Sequence, residues 1–300
     1  MIKSETPGLS VVLAVDGNPR FLAKWLAAVD RQRDPSVQVI AVGVNAPDAE
    51  VQRCSPWVEW IVLDEEALVP NLWAHGIRSA SNEIVVTTTA WFVPEANWLA
   101  NIRHAHSESG AAGVGGIVDP PPDSDARSWA TYFLRYSDLR LLRPGAVTEI
   151  AADNASYRRD DLVAWDEHLA EGFWEPDFHR HLARRGGHLV FRPDIRVRLE
   201  GSPETARFCR QRFHHGLQFG RSRAVAEGRW RRVLRIVTAP LIPAVILAKL
   251  LQRVRRDGRH GFLFLRSLPL LTVFIVSWSA GEMLGYVSLS GVRSGGLEGV

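Results

Sequence analysis

Short apolar runs alternate with segments of helical period through the first hundred residues. Residues 9–15 (LSVVLAV) form an unbroken apolar run, the pattern of a strand buried on both faces. Asp16-Gly17-Asn18-Pro19 interrupts it with turn formers, and residues 20–31 (RFLAKWLAAVDR) then place apolar side chains at helical spacing. Residues 37–44 and 58–63 read as two more buried strands, 71–80 as a short helix, 83–88 as a fourth strand and 98–106 as a further helix. Strands separated by helices of this length require right-handed crossovers and predict a mostly parallel sheet. Such an open sheet binds its ligand beyond the carboxyl ends of its strands. Residues 16–18, 43–48, 64–66 and 87–92 are therefore the first places to look for a site.

The run 120–125 (PPPDSD) is a loop that introduces a helical stretch over 126–142. A second block, 150–197, contains a helix over about 175–185, then Gly186-Gly187 and a strand over 188–191. From residue 207 the texture changes. Residues 207–235 are rich in arginine with Phe, Trp and His between, and 236–251 are apolar but contain Pro240 and Pro243. Residues 252–260 are basic again, and 262–286 are apolar apart from Arg266 and Glu282.

An apolar content of 46% in 300 residues is ample for a packed core. The net charge of +3 conceals an asymmetry: residues 1–200 carry 20 Lys+Arg against 28 Asp+Glu, and residues 201–300 carry 16 against 5. A C-terminal third at +11 is built to meet an anionic surface. Interleaved arginines and aromatics also raise nucleic acid, but no recognition motif accompanies them, so no nucleic-acid partner is expected. Cys54 and Cys209 are too few and too far apart for a disulfide framework. No leader-like segment stands in the opening residues, and the N-terminal part is expected to be cytoplasmic.

The order of blocks resembles the GT-A glycosyltransferases of family 2. The opening strand Ser10-Val11-Val12-Leu13-Ala14-Val15-Asp16 is similar to that family's first strand, and 70–80 (PNLWAHGIRSA) to the helix before its metal motif. Val93-Pro94-Glu95-Ala96-Asn97-Trp98-Leu99 matches the segment after that motif. Downstream, Asp153-Asn154-Ala155-Ser156-Tyr157-Arg158-Arg159, Glu175-Pro176-Asp177-Phe178 and Arg210-Gln211-Arg212-Phe213-His214-His215-Gly216 resemble three more family elements in the right order. The resemblance covers roughly residues 8–220. It implies an α/β GT-A fold, a mostly parallel sheet flanked by helices, with a nucleotide-sugar donor and an inverting transfer.

Two departures bear on chemistry. The family's acid at the end of the second strand is replaced by Gly43-Val44-Asn45, and its Asp-x-Asp pair falls in Thr87-Thr88-Thr89-Ala90-Trp91-Phe92. Two carboxylates there hold a divalent cation that neutralises the departing diphosphate. Mg2+ or Mn2+ is the cofactor the family implies, yet its usual ligands are absent, so no metal ligands are assigned. Three readings stay open: transfer without metal, phosphate charge being balanced by Arg, Lys or a helix N-terminus; a metal held by Asp64, Glu65 or Glu66; or a fold that has lost catalysis and serves as a membrane-attached binding or scaffold subunit.

An inverting transfer needs a carboxylate to take the acceptor's proton, and the resemblance points to Glu175, with Asp177 close behind. Both residues also suit the first turn of a helix simply by complementing its dipole. Asp16, Asn18, Asn45, Thr89, Trp91, Asp153 and Asn154 are the candidate nucleotide and sugar contacts, with Trp91 as a pocket wall. The histidines have no metal-ligand spacing; His179 and His181 point apart on a helix.

Residues 236–251 number 16, short of the ~20 needed to cross a bilayer, and arginines flank them on both sides. An interfacial or re-entrant segment is the simpler expectation. Residues 262–286 can span if Arg266 snorkels and Glu282 lies near an end. The expected organisation is a GT-A domain over 1–220 and a basic, apolar, helical membrane-associated region over 221–300. Membrane lipids would meet residues 221–286, and the acceptor would be lipid-linked or a glycan polymer.

Overall fold

The structure is a computed structural model that describes residues 7–16, 19–122, 125–226 and 229–288. Asn18, one of the candidate contacts, lies outside the described residues.

The chain divides into two compact units, Met1–Pro122 with Leu139–Gly201, and Asp123–Asp138 with Ser202–Val300. In the first unit β1 (Leu9–Val15), α1 (Pro19–Asp30), β2 (Val37–Gly43), α2 (Ala49–Cys54), β3 (Val58–Val62), α3 (Val69–Ser79) and β4 (Ile84–Thr89) follow in order. Next come β5 (Phe92–Pro94), α4 (Trp98–Ser109) and β6 (Gly113–Asp119). α5 (Ala126–Arg135) belongs to the second unit; β7 (Gly145–Val147), β8 (Asn154–Arg158), α6 (Arg159–Val163), α7 (Glu175–Arg184) and β9 (Leu189–Leu199) complete the first.

The strands form one sheet in the order β3-β2-β1-β4-β8-β6-β9-β5, with β7 also paired to β9. β1, β2, β3 and β4 are mutually parallel, as their crossover helices demand. β8 enters antiparallel between β4 and β6, while β5 and β7 run antiparallel to β9. Helix α1 buries Leu22, Trp25, Leu26 and Val29, a stripe at i, i+3, i+4 and i+7. Helix α3 buries Leu72, Trp73, Gly76 and Ile77, and its indole Nε1 at Trp73 donates to the Thr88 carbonyl at 2.8 Å. That bond ties the helix to the end of β4.

The second unit is helical: α5, α8 (Thr205–Ala226), α9 (Arg229–Thr238), α10 (Ile242–Asp257) and α11 (Gly261–Ser288). Residue 220, where the change of texture set the expected boundary, lies inside α8. α8 and α11 run parallel and touch backbone to backbone. A Cβ on Gly216 would stand 2.0 Å from the Trp278 carbonyl oxygen, and one on Gly281 2.0 Å from that of Phe213. Gly220 and Gly285, four residues further along each helix, repeat the contact. Close approach through small residues is how helices associate where no hydrophobic difference drives them together. Glu282 is buried in the same seam, accepting from the Tyr286 hydroxyl at 2.8 Å with Arg223 3.9 Å away.

Two helical runs, Trp230–Asp257 and Gly261–Ser288, are each 28 residues long and apolar enough to cross a membrane. The first exceeds the 16 apolar residues read from sequence because Pro240 and Pro243 do not end it. Pro240 sits in a 3-10 turn (Ala239–Leu241) and Pro243 in the first turn of α10, where a missing N–H breaks no bond. Only 11% of the first apolar window and 28% of the second is buried within the protein. Trp230, Val233, Leu234 and Val237 make an exposed apolar face on α9, and Phe262 and Leu265 are exposed on α11.

Gly281→Ala is expected to destabilise the helical unit by about 1–3 kcal/mol through overpacking. Gly261→Ala, where a Cβ meets nothing within 4 Å, is expected to leave stability unchanged or raised. Denaturant unfolding of the purified chain in detergent micelles compares the two, and equal midpoints would contradict the backbone contact.

Candidate functional site

Strand registers bring most of the candidate residues to one sheet edge. Val15 pairs with Gly43 and Ala14 with Thr89, so Asp16, Gly43–Val44–Asn45 and Thr89–Ala90–Trp91 leave the sheet side by side. Because β8 is antiparallel to β4, Thr88 pairs with Asn154, and Asp153 arrives at the same edge from the opposite direction. Asp16 and Asp153 are buried, 3% and 2% exposed, whereas Asn45 is exposed on the loop after β2.

Asn154 is committed to the sheet. Its carboxamide oxygen accepts from Trp98 Nε1 at 2.9 Å, and its nitrogen donates to the carbonyls of Ile117 (3.0 Å) and Ile195 (3.1 Å). The β6–β9 register slips between Gly116 and Ile117, and the Asn154 nitrogen supplies a donor to carbonyls at that irregularity on both strands. Gly116 lets the bulge close, since a Cβ there would lie 2.0 Å from the Ile195 oxygen. All of this side chain's hydrogen-bonding groups are therefore engaged inside the protein.

Helix α7 carries the two candidate acids. Its entry is fixed by Gly172, at φ +102°, and by Phe173, whose N–H donates to the Pro70 carbonyl at 2.8 Å. Glu175 and Asp177 are half-buried in the first turn. Asp177 forms an ion pair with Arg180, one turn along the same helix. Glu175 faces inward electrostatically: burial first, then the charges of Glu175 and Asp153, raise the Tyr157 phenol well above its usual pKa. The Tyr157 hydroxyl is hydrogen-bonded to His179 Nε2 at 3.0 Å, and burial pushes that imidazole down to about 3. Tyr157 and His179 thus form a buried, hydrogen-bonded pair, with the charges of Glu175 and Asp153 acting on the phenol.

A cationic pair escaped sequence reasoning. Glu200, at the end of β9, donates its backbone N–H to the Trp91 carbonyl at 2.9 Å. Its buried carboxylate binds Lys24 at 2.5 Å and Arg198 at 2.7 Å. Burial alone would raise the pKa of Glu200, but the bonds from Lys24 and Arg198 outweigh it and hold the group ionised. The period-two spacing of Arg196, Arg198 and Glu200 was the available signal.

The threonines where the metal acids would stand are turned to local bonds. Thr87 Oγ1 donates to the Ala152 carbonyl at 2.7 Å, and Thr89 Oγ1 accepts from the Trp91 N–H at 3.3 Å. Trp91 is 8% exposed and packs on Phe21 with ring centroids 4.9 Å apart. Asp64, Glu65 and Glu66 are exposed, and among the described residues no three His, Cys, Asp or Glu side chains come together as a metal site. Hard divalent cations need oxygen donors that are mostly anionic. The residues present do not fit one.

No protein-family profile matches the chain, and no curated protein matches it in sequence. Solved structures do. The mannosyltransferase PcManGT from Pyrobaculum calidifontis, in complex with GDP-Man and Mn2+, superposes with a TM-score of 0.59 at 16% identity, over 93% of this chain and 88% of that one. GalNAc-T7 with UDP, GalNAc and Mn2+ superposes with a TM-score of 0.52 at 15% identity, over 67% of this chain and 45% of that one, less than half its length. Identities this low speak for the fold: the chain has the GT-A fold of nucleotide-sugar glycosyltransferases.

Two buried neutral histidines make the stability of this unit pH-dependent. His179 sits at about 3, and His106, bonded to Ser156 Oγ at 2.9 Å, is pushed down to about 4 by burial and by Arg158. The unfolded chain takes up these protons near pH 6.5 and the folded chain does not, so stability is present above pH 6.5 and lost as pH falls below it. Each histidine is expected to remove roughly 2 kcal/mol between pH 7 and pH 5. Urea unfolding at both pH values should show a smaller loss for His179→Gln than for the natural chain; an identical loss would overturn the assignment.

Proposed function

We propose that this chain is a membrane-attached, family 2-like glycosyltransferase. It moves a sugar from a nucleotide-sugar donor to a lipid-linked or polymeric acceptor at the cytoplasmic face, with inversion and without a bound metal. The observation that supports this reading is the arrival of buried Asp16 and Asp153 at the carboxyl edge of a GT-A sheet beside Thr89, with half-buried Glu175 in the first turn of α7. Glu175 is the base. It takes the proton of the acceptor hydroxyl as that oxygen attacks the anomeric carbon. The bond from that carbon to the diphosphate breaks on the opposite face, and the nucleoside diphosphate leaves. Asp177, paired with Arg180, holds the first turn of the helix. Positive charge next to Trp91 comes from Lys24 and Arg198, which with Glu200 sum to +1 and act electrostatically on the leaving diphosphate. The exposed apolar helices of the second unit attach the protein where a lipid-borne acceptor lies.

A second reading, a catalytically silent domain that binds or scaffolds at the membrane, is favoured by one observation. Trp91 and Phe92 are buried where the family keeps its acids, with Trp91 packed on Phe21.

Transfer of radiolabelled sugar by the full chain in native membranes, from UDP-, GDP- and dTDP-sugars, separates these readings. Glu175→Gln is expected to lower turnover at least about 100-fold while donor affinity stays within about threefold, and Asp177→Asn to lower it by less than about tenfold. Full turnover by Glu175→Gln would remove the base assignment. Donor binding without transfer in the natural chain would establish the silent domain.

A further inference from the structure

Gly261–Ser288 is long and apolar enough to cross a membrane, but it does not stand alone. α8 lies along its second half, from Phe208 on Phe274, with ring centroids 4.6 Å apart, to Gly220 on Gly285. On the side of α8 opposite Gly216 and Gly220, Arg207, Gln211, His214, Gln218 and Arg221 recur at i, i+4, i+7, i+11 and i+14. A bilayer centred on α11 would draw that polar stripe into hydrocarbon, with Arg210 and Arg212 beside it. Each arginine carried to the bilayer centre disfavours insertion roughly 100-fold. Pairing within the segment cannot cancel this charge, since residues 201–300 carry 16 Lys+Arg against 5 Asp+Glu.

Lengths point the same way. The part of α11 before Phe274, residues 261–273, reaches about 20 Å, and the 16 residues of α10 reach about 24 Å. Both fall short of the ~30 Å of hydrocarbon in a bilayer, yet either fits at a slant within one leaflet, about half as thick. α9 exposes Trp230, Val233, Leu234 and Val237 on one side and carries Arg231, Arg232 and Arg235 on the other. Arg232 donates to the Tyr286 carbonyl at 2.5 Å, which fixes α9 at the C-terminal end of α11. Arg253, Arg255, Arg256 and Arg259 stand at the other end, around the turn from α10 into α11. A crossing by α11 would put one of these two arginine groups beyond the far face, against the tendency of such residues to stay on one side.

Resting on the membrane attachment proposed above, we propose that the helical unit is monotopic. α9, α10 and the first half of α11 sink into one leaflet of an anionic bilayer, and both arginine groups meet its headgroups. Neither Trp230–Asp257 nor Gly261–Ser288 crosses. The acceptor is then reached from that one face.

Thiol labelling of the full chain in sealed membrane vesicles of both orientations tests it. In a Cys54→Ser, Cys209→Ser background, Arg256→Cys and Val287→Cys are treated separately with a membrane-impermeant maleimide. Both positions are exposed, so the substitutions spare the packing. Both are expected to label at least about tenfold faster in the same vesicle orientation. Labelling from opposite sides would establish a crossing and overturn the proposal. Protection of either thiol in both orientations would remove it from the headgroups and overturn it as well. Vesicle flotation keeps the premise separate: phosphatidylglycerol vesicles are expected to capture the chain at least about tenfold better than phosphatidylcholine vesicles. Equal capture by both discards the anionic leaflet, while no flotation at all discards the membrane attachment itself.

Discussion

Asn154 is where the sheet is held together. Between the parallel half, β3 to β4, and the mixed half, β6, β9 and β5, the single strand β8 makes the junction. At its first residue one carboxamide satisfies an indole of α4 and bonds two carbonyls at the β6–β9 slip. A buried amide that lost these partners would leave three polar groups unsatisfied at a cost of about 1–3 kcal/mol each. The same constraint sets the site. With Asn154 anchored, Asp153 can only emerge at the carboxyl edge beside Thr88 and Thr89, and Tyr157 three residues later is directed inward, toward His179 and the start of α7.

Electrostatics at that edge differ from what two acids and a cation would produce. Acids are present: Asp16 and Asp153 are buried at the edge and Glu175 sits in the first turn of α7, but among the described residues no three His, Cys, Asp or Glu side chains come together as a metal site. Threonine, alanine and tryptophan occupy the strand end instead, and Trp91 packs against Phe21. On the reading proposed above, neutralisation of phosphate charge falls to side chains. Lys24 and Arg198 are held next to Trp91 because Glu200 binds both, at the cost of cancelling half their charge.

Much of the first unit was legible in the sequence. β1, α1, β2, β3, α3, β4, α4 and α7 lie within a few residues of their expected bounds, because each has a strong apolar period of its own. β6 was not predicted: GVGGIVD carries three glycines, which weaken a strand pattern. They serve instead to let neighbours close in, since a Cβ on Gly113 would lie 2.8 Å from Leu189 and from Tyr157, and one on Gly115 2.5 Å from Ile150. β8 was read only as a motif, its short polar sequence giving no strand period. Asn154 was singled out as a sugar contact on resemblance, and its bonds are internal; only the register slip, invisible in one sequence, explains why asparagine stands there. The pairing of α8 with α11 was also hidden, because the two Gly-x-x-x-Gly spacings are more than 60 residues apart and only the fold brings them together.

On the reading proposed here, a GT-A site without paired metal acids holds its donor without a divalent cation. Isothermal titration of the full chain with UDP-, GDP- and dTDP-sugars, first in EDTA and then with Mn2+ or Mg2+, measures this directly. One donor should bind with an affinity that changes by less than about threefold between the two conditions. A donor that binds only when metal is added, or the absence of binding by every donor, would contradict it.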